Sequence, residues 1–181
     1  MVTQPFDLDG LNAAGPTAFA TALAPLFEGA PAFLTRLAAG RPDTDWAALF
    51  VRARAIAHAM PEDEQIELVD AHPRLGAPPA SVSALSFLEQ GYDREAAEIA
   101  AGAAESERLR VAAELDRLNV AYEERFGFRY CVFVAGRPRA ELLPQMSAAL
   151  EGDREAELHR ALDAVIDIAM ARLSAMLGST A

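Results

Sequence analysis

Cysteine and histidine are both scarce in this sequence, which contains one cysteine and three histidines among 181 residues. The single cysteine, Cys131, cannot form a disulfide within the chain, and its place in an apolar run predicts a buried residue. The three scattered histidines offer no set of ligands at metal-binding spacing. We therefore expect a cytoplasmic protein without a metal site.

Basic residues are also in the minority. Sixteen basic against 27 acidic residues give a formal net charge of -11, which argues against a nucleic-acid backbone or an anionic membrane surface as a partner. The longest charge-free run near the N-terminus, residues 10–27, contains prolines and follows two aspartates. This pattern fits neither a signal peptide nor a transmembrane helix.

What the chain does contain fits a single globular domain over residues 1–181, because 52% of its residues are hydrophobic and 24% are charged. Apolar residues recur at helical spacing in several stretches, most clearly at Val111, Leu115, Leu118 and Tyr122. After a partly extended lead-in over residues 1–15, helices are predicted over residues 17–27, 31–39, 44–60, 61–69, 84–90, 93–104, 105–125, 138–150 and 153–177.

Residues 126–136 form the only stretch rich enough in aromatic and β-branched residues to resemble a strand. A single strand cannot make a sheet. We therefore predict an extended segment near residues 128–134, threaded through a helical core. The whole chain is predicted to be all-α, with about seven to nine helices.

One short stretch, residues 70–76, holds His72 at the point where a helical pattern stops. Pro73 pushes His72 away from the helical backbone region, and Gly76 keeps the following residues irregular. A histidine held in such a turn can face a pocket and act as a general acid or base, since imidazole titrates near neutral pH. The alternative is that His72 caps the helix ending at Asp70, and this stretch alone slightly favours that interpretation.

Three polar residues follow on the short helix predicted over residues 84–90. Ser86, Glu89 and Gln90 stand at i, i+3 and i+4 and should share one face. Glu89 would hold the tautomer of His72 and stabilise its charged form, so the two make a chemically competent pair. A serine hydrolase is formally possible, yet Ser86 lacks the context of a nucleophile elbow. No phosphate-binding glycine loop or dinucleotide fingerprint occurs.

Three further polar residues have two interpretations each. Asn119 lies beside the apolar stripe of its helix and is either a buried structural hydrogen-bonder or a site residue. Arg172, at the flank of the stripe of the last helix, is expected to snorkel or to pair with a carboxylate. His58, near a helix end, is expected to be partly exposed or capping.

Four strings of residues, in order along the chain, resemble one enzyme family. They are Ala71-His72-Pro73-Arg74-Leu75-Gly76, Ser86-x-x-Glu89-Gln90, Leu118-Asn119-x-x-Tyr122-x-x-Arg125-Phe126-Gly127-Phe128 and Ile168-Ala169-x-x-Arg172-Leu173. The family is that of 2-oxo-4-hydroxy-4-carboxy-5-ureidoimidazoline (OHCU) decarboxylase, and the resemblance runs from about residue 5 to residue 177.

The resemblance implies an all-helical, usually homodimeric enzyme that decarboxylates OHCU, a small ureidoimidazoline, to S-allantoin in urate catabolism without a cofactor. It implies that His72 is the catalytic histidine and that Glu89 is its acidic partner. It also implies a set of substrate-binding residues, namely Pro73, Ser86, Gln90, Arg172 and the backbone of Val132.

The chain departs from the family pattern at two places near these residues. Gly91-Tyr92-Asp93 stands where an alanine- and glycine-rich stretch is common, and Arg129 stands where a proline is usual. These departures keep open a related helical enzyme acting on another ureido or imidazole compound. A non-catalytic helical interaction module is the third hypothesis, although such a module would more naturally lack His72 or Glu89.

Overall fold

Ten α-helices and no β-strand are present among the residues that the structure, a computed structural model, describes. These are residues 7–100 and 105–178, apart from the side chains at positions 98 and 100. The helices are α1 (Leu8–Ala13), α2 (Pro16–Leu23), α3 (Pro31–Ala39), α4 (Trp46–Ala59), α5 (Glu62–Asp70), α6 (Ala84–Glu89), α7 (Tyr92–Ala100), α8 (Glu105–Phe126), α9 (Arg139–Ala149) and α10 (Arg154–Gly178). The all-α prediction is confirmed. Within the described residues, no helix is both long and apolar enough to cross a bilayer.

The additional helix is α1, which occupies part of the lead-in that was expected to be partly extended. Six residues are too few for a stable isolated helix, and a tertiary contact supplies the missing support. The Arg41 guanidinium donates to the carbonyl oxygens of Leu11 at 3.0 Å and Ala14 at 2.6 Å, at the end of α1. The remainder of the expected lead-in, residues 1–6, lies outside the described residues, as do residues 101–104 of the helix expected over residues 93–104.

Contacts divide the chain into two compact units. The first combines residues 1–72 with residues 158–181, and the second is residues 73–157. The assignment of residues 1–181 to one domain therefore stays a prediction. In the first unit α3 packs against α2, α4 and α5. There α10 is joined to α4 by Arg54, which donates to Asp163 and Asp167 at 2.6 Å each.

The second unit is built on α8, which packs against α9. Its predicted apolar stripe is buried, with Leu118 and Tyr122 fully so. Asn119 on the same helix is also buried, and its Nδ2 atom donates to the carbonyl oxygen of Leu75 at 2.9 Å. This bond ties α8 to the loop that precedes α6.

The segment between α8 and α9 is neither helix nor strand over residues 129–134. It is embedded through several buried side chains, among them Tyr130 and the preceding Phe128, whose ring centroids lie 5.1 and 5.7 Å from that of Tyr122. These aromatic contacts hold the segment in place without the hydrogen bonds that a neighbouring strand would provide. Cys131, in the same segment, is buried as predicted.

Candidate active site

His72 lies two residues beyond the end of α5 and is 4% exposed. Its backbone N–H donates to the carbonyl oxygen of Val69 at 3.1 Å, and its Nδ1 atom is 3.4 Å from the carbonyl oxygen of Leu68. A carbonyl oxygen can only accept, so this contact places the proton on Nδ1 and makes Nε2 the basic nitrogen of the ring. His72 therefore does interact with the end of the helix, as the capping interpretation expected, while its ring is buried.

Arg172, on α10, is buried in the same unit and is held by the turn that follows α2. Its Nη2 atom is 2.8 Å from Oε1 of Glu28. Its Nη1 atom donates to the carbonyl oxygens of Pro25 at 3.1 Å and Leu26 at 3.3 Å. The expectation that Arg172 pairs with a carboxylate is confirmed, and nothing in the sequence near Arg172 indicated which carboxylate it would be.

The burial of His72 and the charges of Arg172 and Glu28 determine its charge state. Burial is the main cause that lowers the pKa of His72 to about 4, and the positive charge of Arg172 lowers it further. Glu28 and the Leu68 carbonyl act in the opposite direction. A histidine with such a pKa is neutral at pH 7, so the ring presents a basic nitrogen rather than an acidic proton.

The other predicted site residues lie in the second unit. Ser83 caps α6 by accepting the backbone N–H of Ser86 at 3.1 Å on its Oγ atom, and Ser86 is itself 2% exposed. Glu89, half-buried, is the last residue of α6, and Gln90 follows it with a helical backbone. The helix therefore places Ser86, Glu89 and Gln90 on one face, as their spacing predicted. The remaining two residues are Pro73, half-buried, and Val132, buried in the segment between α8 and α9.

The amide of Gln90 holds the loop that follows His72, a contact that sequence reasoning missed. Its Oε1 atom accepts the backbone N–H of Gly76 at 2.8 Å, and its Nε2 atom donates to the carbonyl oxygen of Arg74 at 3.2 Å. Nearby, the Tyr92 hydroxyl donates to the carbonyl oxygen of Ala77. Gly76 has a φ of +82°, a conformation that favours glycine, and this glycine was the one available signal of a tightly held turn.

A cavity of about 310 Å³ lies within the second unit beside this loop. Gly76, Gln90 and Leu115 are among its lining residues, together with Arg137. Of the predicted site residues in this unit, Gln90 belongs to the lining and the other four do not. Gln90 thus borders the cavity, and its side-chain amide is bonded to the loop.

Replacing Gln90 with methionine, which has a similar shape, is expected to lower the free energy of unfolding by about 1–3 kcal/mol. The reason is that the partly buried N–H of Gly76 would lose its acceptor. Urea denaturation of the two proteins would measure the loss. Gln145→Met is the matched control, because Gln145 is an exposed glutamine of the same unit. Equal losses of unfolding free energy in the two variants would contradict the expectation that the Gln90 amide stabilises the loop.

The other two histidines pair with each other. The rings of His58 and His159 are 4.9 Å apart between centroids, and His58 Nε2 is 2.9 Å from Oδ1 of Asp163. His58 is partly exposed, as predicted, with 30% of its side chain accessible. In the described part of the chain, no group of three or more histidine, cysteine, aspartate or glutamate residues is arranged to hold a metal ion.

Comparison with known proteins gives the family of the chain. The family model for OHCU decarboxylase matches residues 12–174. The uric acid degradation bifunctional protein PucL of Bacillus subtilis (strain 168) is 28% identical over 169 residues, which are 93% of this chain and 32% of that protein. The uric acid degradation bifunctional protein of Bacillus sp. (strain TB-90) is 26% identical over 166 residues, 92% of this chain and 31% of that protein. The chain thus spans about a third of the length of these curated relatives.

Solved structures show the same fold. A crystal structure of (S)-allantoin synthase has a TM-score of 0.63 and 19% identity, covering 94% of this chain and 54% of that one. A crystal structure of OHCU decarboxylase in the presence of (S)-allantoin has a TM-score of 0.61 and 21% identity, covering 83% of this chain and 93% of that one. Since the family model matches most of its length, the chain belongs to the OHCU decarboxylase family.

Proposed function

We propose that this chain is a carboxy-lyase that converts OHCU to S-allantoin in urate catabolism, without a cofactor. Membership of the OHCU decarboxylase family and the curated relatives in uric acid degradation support this activity. The structural observation that carries it is the buried His72, kept neutral by its surroundings and influenced electrostatically by the Arg172–Glu28 pair.

The proposed reaction requires the transfer of a proton from the 4-hydroxyl of the substrate to carbon 5 once carbon dioxide has left. When the bond from carbon 4 to the carboxylate breaks, its electron pair passes into the conjugated ring, and the ring nitrogen takes up a proton from water. The 4-hydroxyl then loses its proton to become a carbonyl. Carbon 5, which bears the ureido group, gains a proton and becomes the stereocentre. Because the substrate's own ring accepts the electron pair, no cofactor is needed as an electron sink.

His72 is proposed to carry this proton. A neutral imidazole can accept it from the hydroxyl through Nε2 and return it to carbon 5 on one face, which would fix the configuration of the product. Glu89 is proposed to orient the ring and stabilise its charged form. Arg172, together with Pro73, Ser86, Gln90 and the backbone of Val132, is proposed to bind the substrate and exclude water from the departing carboxylate.

The basic residues of the chain support a mechanism in which no lysine amine forms a covalent bond to the substrate or to a cofactor. All sixteen are arginines, and the sequence contains no lysine. Decarboxylation through a Schiff base requires a primary amine, either to hold pyridoxal phosphate or to react with the substrate. The side chains of this chain cannot form such an adduct, whereas acid–base catalysis by His72 requires none.

The purified protein is expected to produce one allantoin enantiomer rapidly from freshly made substrate. OHCU would be generated from urate by urate oxidase and hydroxyisourate hydrolase, and allantoin would be followed by circular dichroism. The substrate also decays unaided, and that reaction has no chiral catalyst, so a sample without the protein gives the racemic background.

A rate and an optical signal equal to that background, from a folded protein, would contradict the proposal. The same assay with other ureido and imidazole carboxylates would then test for a related reaction. Turnover of one of these compounds in place of OHCU would identify the chain as a helical enzyme of different specificity.

We also propose that the protein acts in the cytoplasm and as a homodimer. The buried single cysteine supports a reducing compartment, and the homodimer rests on the resemblance to the family. Light scattering coupled to size-exclusion chromatography should give twice the mass of the 19.3 kDa chain, and a monomer mass would overturn the dimer.

A further inference from the structure

The turn between α2 and α3 places Glu28 in an unusual backbone conformation. Glu28 has a φ of +52°, and Gly29 after it has a φ of +88°. Residues with a side chain rarely adopt this left-handed region, and doing so costs stability. The turn is closed by the backbone N–H of Gly29, which donates to the carbonyl oxygen of Ala24 at 3.0 Å. The contact that the Glu28 side chain makes offsets this cost.

The side chain of Glu28 reaches the guanidinium of Arg172, 144 positions later in the chain. Both groups are well buried, with 13% of the Glu28 side chain and 4% of the Arg172 side chain exposed. The same turn also supplies the carbonyl oxygens of Pro25 and Leu26 to Arg172. One turn therefore provides a carboxylate and two carbonyls to a single guanidinium and fixes its plane.

The ion pair with Glu28 reduces the net positive charge that Arg172 offers to its surroundings. The positive charge of Arg172 disfavours the imidazolium form of His72, and Glu28 opposes this effect. A lone arginine would also form an ion pair with the substrate carboxylate. That pair would stabilise the ground state more than the transition state, since the carboxylate loses its charge as carbon dioxide leaves, and catalysis would suffer. Glu28 removes this disadvantage by cancelling the charge of Arg172.

We propose that Glu28 is a positioning residue that fixes Arg172 and cancels its charge, so that Arg172 donates hydrogen bonds to the uncharged ureido group of the substrate and not to its carboxylate. This inference rests on the proposed function and assigns one end of the substrate to Arg172. In the competing arrangement Arg172 forms an ion pair with the substrate carboxylate, and the two arrangements predict opposite ligand preferences.

A pair of matched ligands separates the two arrangements. Hydantoin-5-acetamide and hydantoin-5-acetate have the same shape and differ in charge, and calorimetry would measure the affinity of the protein for each. The wild-type protein is expected to bind the amide roughly tenfold more tightly than the acetate, because the compensated charge of Arg172 does not offset the cost of removing the acetate charge from water. Tighter binding of the acetate by the wild-type protein would overturn the proposal without any variant.

Glu28→Gln is expected to remove or invert this preference while leaving the helical circular dichroism spectrum unchanged. In the decarboxylation assay the same variant should lower kcat roughly tenfold with an unchanged or lower KM, since an ion pair would now stabilise the bound substrate. Glu28→Asp, which retains the negative charge, should retain the preference for the amide. The matched control is Glu64→Gln, which removes a partly exposed carboxylate that pairs with Arg36 at 2.5 Å in the same unit.

The outcomes keep the two proposals apart. An active enzyme whose ligand preference and kcat are unaffected by Glu28→Gln would overturn the assignment of Glu28 and leave the decarboxylase proposal standing. An inactive wild-type protein that still prefers the amide, and loses that preference in Glu28→Gln, would overturn the reaction and support the charge cancellation at Arg172. Binding of neither ligand by the wild-type protein would overturn the inference.

Discussion

Replacement of His72 with asparagine is expected to abolish turnover of OHCU while the protein stays folded. The amide cannot accept and return a proton, and general acid–base catalysis of this kind contributes roughly 10²–10⁴-fold to a rate. The loss should appear in kcat, because the proton transfer belongs to the chemical step. Stopped-flow circular dichroism of allantoin formation would measure it.

The matched control for this variant is His159→Asn. His159 is an exposed histidine of α10 whose ring contacts His58, and the proposed mechanism does not use it. The control should retain the activity of the unchanged protein. Near-normal activity of His72→Asn, with an unchanged helical spectrum for both variants, would refute the assignment of His72 as the acid–base residue.

Acidification is expected to destabilise the protein through His72 by about 3 kcal/mol in full, of which about 1 kcal/mol is lost by pH 5.5. In the unfolded chain His72 takes up a proton near pH 6.5, whereas its folded pKa is about 4. Between these values the unfolded state binds more protons than the folded state. Stability therefore falls as the pH falls from 6.5 to 4, and His72 contributes no such loss above pH 6.5.

Urea denaturation at pH 7.5 and pH 5.5 would measure this loss, and both values stay clear of the isoelectric point near 4.7. His72→Asn serves as the comparison because asparagine does not titrate. The unchanged protein should lose more stability between the two pH values than the variant does. Equal losses would mean that His72 titrates in the folded state as it does in the unfolded state.

Local sequence patterns were sufficient for most of the fold. The stripe of α8 repeats at helical spacing over about three turns, and burial of its apolar residues satisfies that pattern directly. The end of α5 was predictable from Pro73, since a proline disfavours a helical conformation at the residue before it. The helix α1 was not predictable, because its support comes from Arg41, a residue remote in sequence.

The candidate site was predictable where chemistry resides in the residue type, and less so where it resides in contacts. His72 was proposed as a site residue from the turn at Pro73 and from a motif string, and Arg172 from the motif string of the last helix; these roles stay predictions. No sequence pattern indicated the contact of Gln90 with the backbone of Arg74 and Gly76, since any loop offers backbone N–H and carbonyl groups. None indicated Glu28 either, because its left-handed backbone and its distant partner are properties of the folded chain.

The division of the chain into two units has a spectroscopic consequence. The single tryptophan, Trp46, lies in the first unit, and all three tyrosines, residues 92, 122 and 130, lie in the second. Tryptophan fluorescence therefore reports on the first unit, and the tyrosine contribution to the near-ultraviolet spectrum reports on the second. Coincident transitions from the two probes would show that the units unfold as one cooperative body, and separate transitions would show that each has a stability of its own.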